Sequence, residues 1–336
     1  MKSRCHSAGR TGEIMTKQEE IEQLKAKQDA VILAHYYVDP QVQEVADYIG
    51  DSFYLSKIAA GLDRRTMVLC GVSFMGESGK LLSPDKVVLM PDAQADCPMA
   101  HMVTKEEVEQ YRREYPDLAV VCYINSTAEI KSWSDVCVTS ANAVQIVRNL
   151  PNRDILFIPD KNLGRYVASQ VPEKHVMPVN GCCPVHDQMS PKEVSALKEI
   201  HPNAQVLAHP ECNAQVLELA DYIGSTTGIL KFAAGSTSRE FIICTENGVR
   251  HELERQNPGK HFYFPDTEPI CRDMKKITLN KVPSALSTPL PLTHEGFWGV
   301  SISSTCITFT GSFSSRGSRL NPFMISSLNF ILPSSL

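Results

Sequence analysis

Nowhere in its 336 residues does this chain string together the roughly 20 apolar residues that a membrane span requires. Its first stretch, MKSRCHSAGRTGEI, lacks the apolar core of a secretory signal. Neither sign of charge is in excess: 33 lysines and arginines stand against 38 aspartates and glutamates, a formal net charge of −5. That balance excludes a basic footprint for nucleic acid or a basic arm for a membrane surface. A cytoplasmic protein is expected. Cysteines paired at C-x-x-C spacing are absent too, although the chain carries 11 cysteines. In a reducing compartment such a surplus points to metal or reactive thiols rather than disulfides.

What the chain does have is an internal repeat. VADYIGDSFYLSKIAAG begins at Val45 and LADYIGSTTGILKFAAG at Leu219, 174 residues later. Halfway between them lies SWSDVCVTSANAVQIV, which places Asp135 under Asp47 and Asp221. Three aligned segments imply a triplicated supersecondary unit. Each copy opens with a short apolar strand (Val31 to Ala34, Leu118 to Cys122, Val206 to Ala208), followed by a helix-capping residue at Asp39, Thr127 and Asn213. Apolar positions at helical spacing (Val42, Val45, Ala46, Ile49, and again Val216, Leu219, Ala220, Ile223) predict helices ending at Gly50 and Gly224. Ser52, Ser140 and Thr226 align as caps of a second helix. Apolar strands follow, and Lys86, Lys174 and Lys260 align ahead of a further strand in each copy. Thr104, Ser190 and Thr278 align as later caps. The fold expected is α/β: three homologous αβα units, each with a small parallel sheet, related by a pseudo-threefold axis.

Ligands in such units gather at the carboxyl ends of the strands. There the copies carry His35, Tyr123 and His209, and two residues further Tyr37, Asn125 and Glu211. Core packing gives no reason to repeat polar and ionisable side chains at one strand end. Ser52, Ser140 and Thr226 serve equally as plain helix caps or as an anion site built from helix N-termini. Asn162 and Glu246, at second-strand ends, are read as loop organisers. Cys97, Cys183 and Cys271 lie 86 and 88 residues apart, one equivalent cysteine per unit, whereas the other eight are read as small buried hydrophobes. Three thiolates from three units suit one metal centre with an open position. Zinc remains possible, but the missing paired spacing favours a cluster at the junction of the units.

The stretches ILAHYYVDPQVQEVADYIGDS, GVSFMGESGK, MPDAQADCPMA, VCYINSTAEIKSWSDVCVTSANA, FIPDKNLGRY, GCCPVHD, LAHPECNAQV, GSTTGI, CTENG and CRDMKKIT resemble the quinolinate synthase family, over roughly residues 17 to 282. The resemblance implies a 4Fe-4S cluster on Cys97, Cys183 and Cys271. It also implies a transferase of NAD biosynthesis, condensing iminoaspartate with dihydroxyacetone phosphate to quinolinate and releasing phosphate and water. Ser52, Ser140, Thr226, Tyr123 and Asn125 are then expected to hold carboxylates and phosphate. His35, His209 and His186 are expected beside substrate, with Tyr37, Glu211 and His186 as the groups for proton transfer. A transient contact with the enzyme that makes the unstable iminoaspartate is a further expectation. A redox sensor or electron carrier is the alternative, along with a zinc or metal-free lyase.

Two regions depart from the pattern. Residues 1–14 read as an extension ahead of the first unit (15–115), which is followed by units at 116–201 and 202–282. Beyond them, residues 283–336 are serine-rich, with Glu295, Arg316 and Arg319 their only charged residues. Pro283 is expected to break the helix that Thr278 would begin. A frameshift near that codon is the expected origin of the tail.

Overall fold

The computed structural model describes residues 15–292, apart from 268 and 290. Twelve strands form three separate sheets. The first comprises β1 (Ala30–His35), β2 (Tyr48–Gly50), β3 (Thr66–Cys70) and β4 (Val87–Leu89). The second comprises β5 (Ala119–Tyr123), β6 (Val136–Val138), β7 (Asp154–Ile158) and β8 (His175–Pro178). The third comprises β9 (Gln205–Ala208), β10 (Tyr222–Ile223), β11 (Glu240–Cys244) and β12 (His261–Tyr263). Strand order is the same in all three, second-first-third-fourth, and every pairing between these strands is parallel. With helices between the strands, these are three α/β units of one design.

The aligned residues explain how each unit closes. The carboxylates of Asp47, Asp135 and Asp221 accept the main-chain N–H of Ile32, Val120 and Val206 at 2.7, 2.8 and 2.8 Å. Each anchors the strand beside it at one register. Lys86, Lys174 and Lys260 donate to carbonyls in and just beyond the C-terminal turn of the helix ahead of the third strand (Ser52–Gly61, Ala143–Asn149 and Thr226–Gly235): Ala59 and Leu62, Leu150 and Asn152, and Ala233 and Ser236. A cation there satisfies carbonyls that the helix itself leaves unpaired.

The helices predicted up to Gly50 and Gly224 stop earlier. Pro40–Glu44 and Ala214–Leu217 are single short helices, and the chain then enters β2 and β10. The cause is the same aspartate: the N–H groups of Asp47 and Asp221 also bond the carbonyls of Ile32 and Val206, pulling the chain onto the sheet. Asp39, Thr127 and Asn213 cap as expected, each accepting an N–H from the turn it opens. The second caps lie one residue earlier in copies one and three, at Asp51 and Ser225, so Ser52 and Thr226 are the first helical residues. In copy two the helix begins only at Ala143, and Ser140 sits in the turn ahead of it.

Pro283 does not break its helix. The helix runs Lys281–Ser287 with Asn280 rather than Thr278 at its cap position, so the proline falls in the first turn. There an N–H has no intrahelical partner and its loss costs little. Val282, Pro283 and Leu286 are buried, and Gln28 of the helix Lys17–Gln28 donates to the Leu286 carbonyl at 3.2 Å. Leu292 then donates to the Val88 carbonyl at 3.0 Å, extending the edge of the first sheet. Residues 1–14 and 293–336, with most of the serine-rich stretch, lie outside the described residues. One hydrophobic core runs continuously through units one and two and takes in Met274, Ile277, Val282 and Leu286. No helix among the described residues is long and apolar enough to cross a membrane.

Candidate active site at the junction of the three sheets

The strand ends of all three units open on one cavity, with about 700 Å³ of atom-free space, its mouth included. Every residue expected at the site lines it: Cys97, Cys183 and Cys271; His35, Tyr123 and His209; Tyr37, Asn125 and Glu211; Ser52, Ser140 and Thr226; and His186. Sequence reasoning missed Asp51 and Thr139 on the wall, and Glu246, read as a loop organiser, stands there too. It also missed Thr245, just behind the wall. Asp51 and Thr139 lay one position ahead of the aligned hydroxyls, and their equivalence with Ser225 could have revealed them.

A turn of fixed form aims the two strand-end histidines. His35 Nδ1 accepts the Tyr37 N–H at 3.1 Å, and His209 Nδ1 faces the Glu211 N–H at 3.4 Å. Each ring so held turns its Nε2 outward, and that of His209 meets Ser140 Oγ at 3.2 Å. Burial pushes both rings down to about 4, so they are uncharged at neutral pH.

A chain of hydrogen bonds links the remaining ionisable groups. The Tyr37 hydroxyl lies 2.7 Å from both Thr226 Oγ1 and Thr245 Oγ1. Thr245 Oγ1 lies 2.9 Å from His186 Nε2, and His186 Nδ1 lies 2.8 Å from Glu211 Oε2. Tyr37 and Glu211 are therefore joined through a hydroxyl and an imidazole without a gap. Burial raises the Tyr37 phenol well above its usual value, keeping it protonated. Burial works against the Glu211 carboxylate, but the charges that His209 and His186 carry once protonated, with hydrogen bonds from His186 and the Tyr123 hydroxyl, outweigh it and hold Glu211 low. Asn125 Nδ2 reaches Glu211 Oε1 at 3.4 Å, while its Oδ1 is buried with no partner in the chain. A buried acceptor left open in a cavity wall asks for a donor on a ligand.

Among the described lining residues there is no lysine or arginine. Positive potential must come from elsewhere. The ten-residue helices Ser52–Gly61 and Thr226–Gly235 both begin at the wall, and their N-terminal N–H groups favour anions. The three thiols, once ionised, would call for a cation as well. Burial is the first cause raising Cys97, Cys183 and Cys271, with Cys97 and Cys271, and Cys183 and Cys97, repelling each other as thiolates. Metal bound between them removes that penalty, so the donor set fits one. Cys183, His186 and Glu211 bring donor atoms within 4.8 Å of one another, close enough for a single ion. The three cysteines form no group that tight among the described residues.

Fold and cavity together define an α/β protein of three like units around one thiol-bearing cavity. Residues 19–295 match the family model of the Quinolinate synthetase A protein. Similar proteins include the quinolinate synthase of Clostridioides difficile, 49% identical over 80% of this chain and 88% of that one. That of Fusobacterium nucleatum is 52% identical over 79% and 89%, and that of Methanoregula boonei 48% over 82% and 90%. The chain belongs to the quinolinate synthase family. The match extends beyond Pro283, as the helix through that residue does.

Proposed function

We propose that this chain is a quinolinate synthase of NAD biosynthesis, a transferase that condenses iminoaspartate with dihydroxyacetone phosphate, releasing phosphate and water. Supporting this reading above all is the convergence of three thiols, one from each unit, on the cavity that also holds the Tyr37–Thr245–His186–Glu211 chain. A redox carrier has no use for such a chain or for an open acceptor at Asn125.

Cys97, Cys183 and Cys271 would hold a 4Fe-4S cluster, which when bound would supply an iron with an open position to polarise a substrate oxygen. The chain's own residues do the rest. The helix starts at Ser52 and Thr226, with the Ser140 hydroxyl, take carboxylate and phosphate oxygens. Uncharged His35 and His209 donate hydrogen bonds from Nε2 without adding charge. Asn125 Oδ1 accepts from the substrate nitrogen. Glu211, ionised and buried, is the base that removes a proton during enolisation. Tyr37, protonated, is the acid that delivers one to a departing hydroxyl. Thr245 and His186 return the proton between them, so one pair serves both dehydrations. In the cytoplasm, a passing contact with the producer of iminoaspartate would shorten that unstable molecule's exposure to water.

Iron and acid-labile sulfide per chain, measured after anaerobic purification, test the reading alongside Cys97→Ala, Cys183→Ala and Cys271→Ala. About four of each in the parent, lost from all three variants, together with quinolinate formed by the parent, is the expected result. Folded parent protein without iron would rule the mechanism out.

A further inference from the structure

Each of the three cysteines gives its main-chain N–H to a carboxylate. That of Cys97 goes to Asp96 Oδ1 at 2.8 Å, that of Cys183 to Asp160 Oδ2 at 3.0 Å, and that of Cys271 to Glu246 Oε1 at 3.1 Å. Two residues ahead of each cysteine, the carbonyls of Ala95, Gly181 and Pro269 accept from the N–H groups of Ser73, Lys161 and Asn247, at 2.8, 2.7 and 2.9 Å. Every thiol-bearing loop is thus secured at the same two points.

The carboxylates reach that place by different routes. Asp160 and Glu246 each stand two residues beyond a strand, β7 and β11, and each also caps the helical turn after it. Unit one has Val72 at that place, with no capping side chain. Its carboxylate comes instead from Asp96, which sits directly before the cysteine and caps no helix. Capping therefore does not account for the trio. What all three units keep is an acceptor on the cysteine N–H. Each acceptor is itself fixed: Asp96 by Ser73 Oγ and by His101 Nε2 at 2.7 Å, Asp160 by the Leu163 N–H at 2.7 Å, and Glu246 by the Gly248 N–H at 2.6 Å and Lys275 Nζ at 3.0 Å. Acidic side chains beside three thiols are unfavourable once ionised, and of the three only Asp96 and Glu246 have a basic group in contact. Such a placement needs a return, and a rigid ligand frame is one.

We propose that Asp96, Asp160 and Glu246 are positioning residues for the metal centre, each setting the direction of one cysteine side chain by holding its main chain. This rests on the cluster reading above. Asp96 gives the cleanest test, because its side chain is 45% exposed and its replacement leaves the core intact. In Asp96→Asn the amide oxygen still accepts from Cys97 while the NH₂ faces His101; in Asp96→Ala nothing accepts. Reconstituted parent, Asp96→Ala and Asp96→Asn are challenged with an iron chelator, and loss of the cluster's absorbance is timed. Thermal melting of the three apoproteins is compared in parallel. Asp96→Ala should lose its cluster about 10-fold faster or more, Asp96→Asn at close to the parent's rate, and the apoproteins should melt alike. Parent-like retention by Asp96→Ala overturns the inference alone, as does equal loss from both variants. A parent that takes up no iron overturns the cluster reading and this inference together.

Discussion

At the scale of single residues, the least conspicuous side chain joins the proposed acid to the proposed base. Thr245 is wholly buried and joins Tyr37 to His186. Thr245→Val keeps its shape and removes the junction. Quinolinate formation should slow by about 10²-fold, the ordinary contribution of one positioned acid or base. KM and iron content should stay near the parent's; an unchanged kcat would show the junction to be idle. Titration offers a second expectation. His35 and His209 are uncharged in the folded chain down to about 4, whereas the unfolded chain protonates them near 6.5. Between those values the unfolded state binds more protons, so their contribution to stability is intact above 6.5 and is lost as pH falls toward 4. Urea titrations of the apoprotein across that window should show the midpoint dropping, and less steeply in a His35→Asn, His209→Asn variant. Threonine could not have been picked out by its sequence, because its place in the chain of bonds depends on the other two units. The histidines could, because they recur at one strand end.

At the scale of elements, the repeat made caps and main strands legible, and it misjudged the segments just after the short helices. Val42, Val45, Ala46 and Ile49 fit one continuous helix by spacing, yet the last of them is a strand residue. Helical and extended segments share apolar positions over such short lengths, and the bonds from Asp47 to Ile32 decide between them. Pro283 was misjudged for a related reason: its penalty depends on where the helix starts, and the start moved to Lys281. The loop before Cys183 is tight in a way the letters GCC do not disclose. A Cβ on Gly181 would meet the Pro159 carbonyl oxygen at 2.4 Å. Gly181→Ala must shift the main chain, at a cost of roughly 1–3 kcal/mol, and it carries Cys183 with it. A fall in both melting temperature and iron content is expected. A drop in stability with full iron would mean that the loop adapts without disturbing its thiol.

At the scale of the whole molecule, triplication announced the architecture, since three aligned copies imply three like sheets. How the copies share their interiors was not legible. Units one and two share one large core beside a smaller cluster around Val120, Cys122 and Leu156, whereas unit three keeps clusters largely of its own, one of which admits Tyr36 from unit one. Pairwise fitting of that kind arises between copies and leaves no period in any one of them. The helix Lys281–Ser287 comes after the third unit in sequence but packs on the first, beside Lys17–Gln28. The described chain thus closes into a ring, its two outermost helices side by side. A ring has no privileged opening. Joining residue 289 to residue 16 with a flexible linker of about a dozen residues spans the ~18 Å of the first helix. The circle can then be cut between units one and two, near residue 116, and the permuted gene should yield a folded chain with a cooperative melt, lowered by loss of the Leu292–Val88 pairing that the join removes.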